Sequence, residues 1–223
     1  MRVHFFNGAP HTPFRLFMSG FGVLPRAFSP TQPLAMVYDY RDFANLSEIL
    51  TLAKDAKSLI AWSMGVAIAS RIFTAPLACL DRAVAINGTI AGIDSRLGIH
   101  PRLFKRTIAG FDREAFARGC FGQRAEGEEC EEYGACEEGA RLDEILSPAQ
   151  NLTEELQSLQ DFCSRTPLGY VPKWREAFVS EADGIFSPLA QNLAWEAYAK
   201  AHEDFTLHKL ACAHFVFSSL EVL

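Results

Sequence analysis

Residues 57–65, KSLIAWSMG, constrain this chain more than any other stretch: an apolar strand through Leu59, Ile60, Ala61 and Trp62 runs directly into Ser63 and a helix start built from small residues. A serine caught between a buried strand and a helix forces a turn so tight that its flanking positions can carry little or no side chain, and here they are Ala61 and Gly65. Such a turn lifts Ser63 Oγ out of the sheet and sets the Met64 N–H at the N-terminus of the next helix, where a developing oxyanion can be held. Serine hydrolase chemistry is the reading this suggests. The plainer alternative is a buried strand meeting a helix that is merely capped by serine.

Short β-rich apolar segments alternate with helical patterns along much of the chain, the mark of a mainly parallel α/β sheet flanked by helices. Strands are expected at 3–6, 15–18, 35–38, 58–62, 83–86, 176–180 and 206–210. Helices fall between them: Leu46, Ile49, Leu50 and Ala53 recur at helical spacing, as do Val66, Ala67, Ala69, Ser70 and Phe73, and Trp195, Tyr198 and Ala199 make a third stripe. With 223 residues, 49% of them hydrophobic and 18 Phe, the chain can bury a full core. Between 95 and 172 the alternation stops, and the stretch reads as a helical cap inserted after the strand that ends near Gly88, within one domain whose core is 1–94 and 173–223. The first part of this cap is basic, and 126–138 is acidic and glycine-bearing, expected to be a solvated loop.

No apolar run approaches the roughly 20 residues needed to span a membrane, and the N-terminus has no export-signal core, so a cytoplasmic location is expected. The six cysteines show no repeated CxxC spacing, which fits reduced thiols, with neither a metal nor a bridge expected.

A serine nucleophile needs a base, and the base an orienting acid; with this kind of turn the chain order is serine, acid, histidine. Asp183 lies just past an expected strand with Gly184 following, where a carboxylate can accept from an imidazole Nδ1–H; a simple turn aspartate is the alternative. His4 and His11 precede the serine, His100 opens the cap, His202 belongs to a helix and His208 lies inside the last strand. His214 remains, a few residues past that strand. A second oxyanion donor is offered by LFMSGFGVLP, where Gly20 and Gly22 let the backbone turn tightly and present the Phe21 N–H beside that of Met64.

The segments LFMSGFG, LIAWSMGV, AVAINGT followed by GID and GIHP, EADGIFSPLAQN and AHFVF together resemble the BioG-type pimeloyl-acyl-carrier-protein methyl ester esterases, a compact branch of the α/β-hydrolase superfamily acting late in assembly of the biotin precursor. The resemblance runs nearly end to end. It implies an α/β-hydrolase fold with Ser63 as nucleophile, Asp183 as acid, His214 as base, and Phe21 and Met64 as backbone oxyanion donors. Ala61 departs from the family's usual glycine, and Val216 from a proline that often follows HF. The implied reaction is hydrolysis of the methyl ester of a pimeloyl chain borne on the phosphopantetheine arm of acyl carrier protein, with no cofactor. The expected partner is that carrier protein, with no nucleic acid or membrane, and the expected state is a monomer.

Two cap features would serve that substrate. Leu103, Phe104, Ile108, Phe111, Phe116 and Phe121 are expected to line a channel for methylenes, and Arg102, Lys105, Arg106, Arg113, Arg118 and Arg124 to dock an acidic carrier protein, because a chain of net charge −6 needs a local positive patch to do so. An ordinary solvated helix face explains any one of these arginines equally well. Two other functions fit the same residues: a general short-chain esterase or thioesterase acting on a free small molecule, and a non-catalytic binding protein on a hydrolase scaffold.

Overall fold

The computed structural model describes residues 1–8, 13–122 and 142–217. Three strands come first, β1 (Arg2–Phe6), β2 (Arg15–Met18) and β3 (Leu34–Tyr38), followed by helix α1 (Leu46–Asp55). Strand β4 (Leu59–Trp62), helix α2 (Met64–Ile72) and strand β5 (Ala83–Ile86) complete the first half. Among the described residues, four helices then intervene: α3 (Pro101–Ala109), α4 (Arg113–Phe121), the short α5 (Leu142–Ile145) and α6 (Ala149–Arg165). The chain returns to the sheet with β6 (Trp174–Ser180), helix α7 (Pro188–Ala199) and β7 (Thr206–Leu210).

The seven strands form one sheet in the order β1-β3-β2-β4-β5-β6-β7. Every pairing is parallel except that of β1 with β3 at one edge. This is the mainly parallel α/β architecture expected from the alternation, and the bounds of β2, β5 and β7 fall where the sequence places them. β4 lies mid-sheet with Leu59, Ile60, Ala61 and Trp62 all buried, which is why its sequence is a continuous apolar run rather than an alternating one. Parallel order also brings the C-terminal ends of β2, β4, β5 and β6 to one rim, where the loops that carry chemistry converge.

The small residues of α2 have a geometric cause. A Cβ on Gly65 would lie 2.2 Å from the Met18 carbonyl oxygen and 2.6 Å from that of Ser19, so the first turn of α2 packs directly on the end of β2. Only glycine permits that approach, and the turn before it is compressed accordingly.

Among the helices between β5 and β6, α6 is anchored to the body of the protein. Its Leu152, Leu156 and Leu159 are buried at helical spacing, each burial worth about 2 kcal/mol, and its Phe162 stacks on Phe43 from the loop after β3, ring centroids 3.9 Å apart. Helix α3 begins on Pro101 with His100 Nδ1 accepting from the Arg102 N–H, and α4 is capped by Asp112 Oδ1 accepting from the Ala115 N–H at 2.9 Å. No helix among the described residues is long and apolar enough to cross a membrane. The acidic run 126–138 and Arg124 lie outside the described residues.

Candidate active site

Ser63 sits at the junction of β4 and α2 with φ 58° and ψ −128°. A non-glycine residue held there costs on the order of 1–3 kcal/mol, and it persists because its surroundings leave the chain no other course. The Ser63 N–H donates to the Ile86 carbonyl across the sheet at 2.8 Å, Gly65 packs on β2, and a Cβ on Gly88 would fall 2.2 Å from the Ser63 carbonyl oxygen. Met64 is the first residue of α2, so its N–H is one of the donors that a helix cannot satisfy internally.

Asp183 and His214, 31 residues apart in sequence, meet at 2.8 Å between Asp183 Oδ2 and His214 Nδ1. Both are buried, 8% and 1% exposed. Asp183 Oδ1 accepts the N–H groups of Ile185 and Phe186, both at 2.8 Å, and Oδ2 also accepts from Gln191 Nε2 at 2.9 Å. With a carboxylate oxygen facing Nδ1, the imidazole is oriented to carry its proton on that nitrogen, leaving Nε2 as an acceptor. The imidazole rests against the indole of Trp62, the residue preceding Ser63, with ring centroids 5.1 Å apart, and lies parallel to the ring of Phe186.

The backbone of His214 is tethered as firmly as its ring. Its carbonyl accepts from Asn87 Nδ2 at 2.7 Å and from Trp62 Nε1 at 3.1 Å. Asn87, at the end of β5 with φ 45°, also bonds Ser180 through both ends of its amide. These bonds tie the His214 loop to β4, β5 and β6 together. Neither Asn87 nor Gln191 stands out in the sequence as a site residue, since a lone neutral amide carries no periodic or motif signature. The one signal available is position: Asn87 closes a strand at the functional rim, and Gln191 lies one turn into the helix that follows the acid.

The loop after β2 reaches the same place. A Cβ on Gly20 would lie 2.9 Å from Ser63 Cβ, and Gly22 has φ 74°, so the backbone on both sides of Phe21 demands glycine. Phe21, Ser63 and Met64 all line a cleft of about 280 Å³. Its walls are largely apolar, with Leu103, Phe104, Phe116 and Leu156 from the intervening helices, Phe111 from the turn between α3 and α4, and Ile185 from the segment after Asp183. The ring of Phe21 meets that of Phe116 edge to face at 5.1 Å.

Two expected channel residues stand elsewhere. Ile108, one turn on from Phe104, packs against the main core, and the α3 residues that line the cleft are Leu103, Phe104 and Thr107. Phe121 turns away to contact Phe215, with centroids 5.1 Å apart. The basic residues also divide. Arg102, Lys105 and Arg106 are exposed on α3, while Arg118 pairs with Glu114 at 3.9 Å and Arg113 is half-buried, donating to the Leu146 carbonyl.

A family model described as pimeloyl-ACP methyl esterase BioG matches residues 3–221 of this chain. Its fold is similar to the crystal structure of BioG from Haemophilus influenzae, with a TM-score of 0.76 and 27% identity over 99% of this chain and 97% of that one. An uncharacterized protein of Haemophilus influenzae is 28% identical over 211 residues, covering 91% of this chain and 88% of its own length. A malonyl-[acyl-carrier protein] O-methyltransferase of Bacteroides fragilis is 30% identical over 193 residues, 82% of this chain, but the chain spans only 36% of that relative. With the family model covering nearly its whole length, the chain belongs to the BioG family.

Proposed function

We propose that this protein is a serine esterase that hydrolyses the methyl ester of a pimeloyl group carried on acyl carrier protein, in the supply of a biotin precursor. The observation that carries the reading is the meeting of a strained serine and two candidate oxyanion donors in one apolar cleft, beside a buried aspartate–histidine pair. Family membership supports the substrate class. The relative named for methylating a malonyl carrier does not transfer that activity here, because its name covers a protein nearly three times the matched span. It does fit the same chemistry: a methyl ester placed on a carrier-bound acid must later be removed by a hydrolase.

In this mechanism Ser63 Oγ attacks the ester carbonyl while His214 Nε2 takes its proton. The tetrahedral oxyanion is held by the Phe21 and Met64 N–H groups, a preorganised pair that gains strength in a site walled from water. Methanol leaves with the proton from His214, and water then cleaves the acyl-enzyme by the same route in reverse. The apolar cleft takes up the methylenes. Once the ester becomes a carboxylate, no Lys or Arg among the residues lining the cleft neutralises it, which favours product release.

A second groove shares Ile99, Leu103 and Ile185 with the cleft and is bordered by Arg96 and the exposed Leu189 and Leu193. Arg102, Lys105 and Arg106 stand exposed beside Leu103 on α3, and these are the residues we assign to carrier docking. The test compares methyl pimeloyl-acyl carrier protein with a free methyl ester of the same acid at low and high salt. The carrier substrate is expected to be preferred at least tenfold in kcat/KM, with the preference shrinking as salt rises. Equal turnover of both substrates at all salt concentrations would leave a general esterase.

Gln191 gives a narrower prediction. Gln191→Leu keeps the volume but removes the donor to Asp183 Oδ2, a bond to a charged acceptor worth about 1.5 kcal/mol or more. The expected result is a roughly tenfold fall in kcat with KM little changed, read from steady-state hydrolysis of either ester.

A further inference from the structure

Glu155 is a carboxylate in a place where carboxylates are rare. It lies on the inner face of α6, 1% exposed, between the buried Leu152, Leu156 and Leu159. A buried charge needs compensation. Here it comes from two backbone groups distant in sequence: Glu155 Oε1 accepts the N–H of Tyr40 at 3.2 Å and that of Gly22 at 3.4 Å. Gly22 adjoins Phe21, and its left-handed φ is the bend that sets the direction of the peptide before it. Leu152, one turn earlier on α6, presses on the same glycine, since a Cβ there would fall 2.4 Å from Leu152 Cδ2. The next turn of the helix supplies Leu156 to the cleft itself.

We propose that Glu155 is a positioning residue for the oxyanion loop, its carboxylate fastening the Gly22 and Tyr40 N–H groups to α6 and so holding the Phe21 N–H in its place beside Ser63. The proposal rests on the esterase reading for the use of that N–H, but the clamp exists independently of it. Burial pushes the Glu155 carboxyl up to about 7, with Asp39 adding to the rise and the two backbone donors and Arg41 opposing it. The Met1 amino group and the buried Tyr40 phenol also feel its charge. Ionisation makes both bonds charge-assisted, so the clamp tightens as pH rises through about 7.

Two substitutions separate positioning from simple stabilisation, assayed on p-nitrophenyl acetate with the full chain. Glu155→Gln keeps the length and an acceptor oxygen and is expected to retain kcat within about threefold. Glu155→Asp keeps the charge but withdraws it by about one bond, and displacement on that scale at an oxyanion donor is expected to lower kcat at least tenfold with KM within twofold. Wild-type kcat in Glu155→Asp, or a loss carried by KM alone, would overturn the proposal. Should Glu155→Asp fail to fold, amide chemical shifts of the wild type decide. The N–H signals of Phe21, Gly22 and Tyr40 are expected to titrate together near pH 7 and to stop doing so in Glu155→Gln. A Phe21 signal indifferent to that titration would overturn the proposal as well. A wild type no more active than Ser63→Ala would instead refute the esterase reading, leaving the amide titration to judge the clamp alone.

Discussion

Ser63→Ala is expected to lower methyl ester hydrolysis by about 10⁶-fold, the loss typical of removing a serine nucleophile that works as a unit with its base. Protein folding should be untouched. The strain at position 63 resides in the backbone, with φ 58°, and alanine inherits it unchanged along with the Cβ that Gly20 packs against. Circular dichroism and the melting temperature of the variant should therefore match the wild type within a degree or two. Binding should survive too, because the cleft walls come from other residues, and the variant should retain carrier-bound substrate without turning it over. Residual hydrolysis within tenfold of wild type would remove Ser63 from the chemistry.

The second large effect is expected from Asp183→Asn, and its cause is tautomeric. Two backbone N–H groups, from Ile185 and Phe186, converge on Oδ1, so the amide oxygen of an asparagine settles there. Its NH₂ must then face His214 Nδ1 and Gln191 Nε2. A donor opposite Nδ1 moves the imidazole proton to Nε2, the nitrogen that has to accept the serine proton, and the base is lost without any change of shape. A fall in kcat of about 10⁴-fold is the expected size of that error. Steady-state kinetics gives the loss, and ¹⁵N shifts of the His214 ring report the tautomer directly. A variant within tenfold of wild type, or one whose ring keeps its proton on Nδ1, would show that Asp183 does not orient the base.

What the sequence discloses here depends on how locally each feature is specified. The turn at Ser63 is legible because its demands are met by adjacent residues: a continuous apolar strand, then small side chains where Gly65 approaches the Met18 carbonyl. Asp183 and His214 are legible by chain order, although they meet only in three dimensions. Phase on a helix is harder to read. Ile108 and Leu103 are both apolar members of α3, and nothing in their identity tells that the first faces the core while the second, 55% exposed, faces the cleft. Least legible are Gln191, Asn87 and Glu155, whose partners are mostly backbone groups, with one carboxylate oxygen and one serine hydroxyl besides. Their roles are fixed by tertiary placement, and their residue types are common in any helix or loop.

The tether of the His214 carbonyl to Asn87 and Trp62 bears on how such a protein can diversify. On the proposed reading the base hangs from strands, whereas much of the cleft wall is furnished by the segment between β5 and β6. If that reading holds, changes of side chain on α3 and α4 reshape what the cleft accepts while Asp183 and His214 stay in register, so new acyl specificities lie a few substitutions away rather than a refold. Helix α6 is less free, because through Glu155 it grips the loop beside the serine.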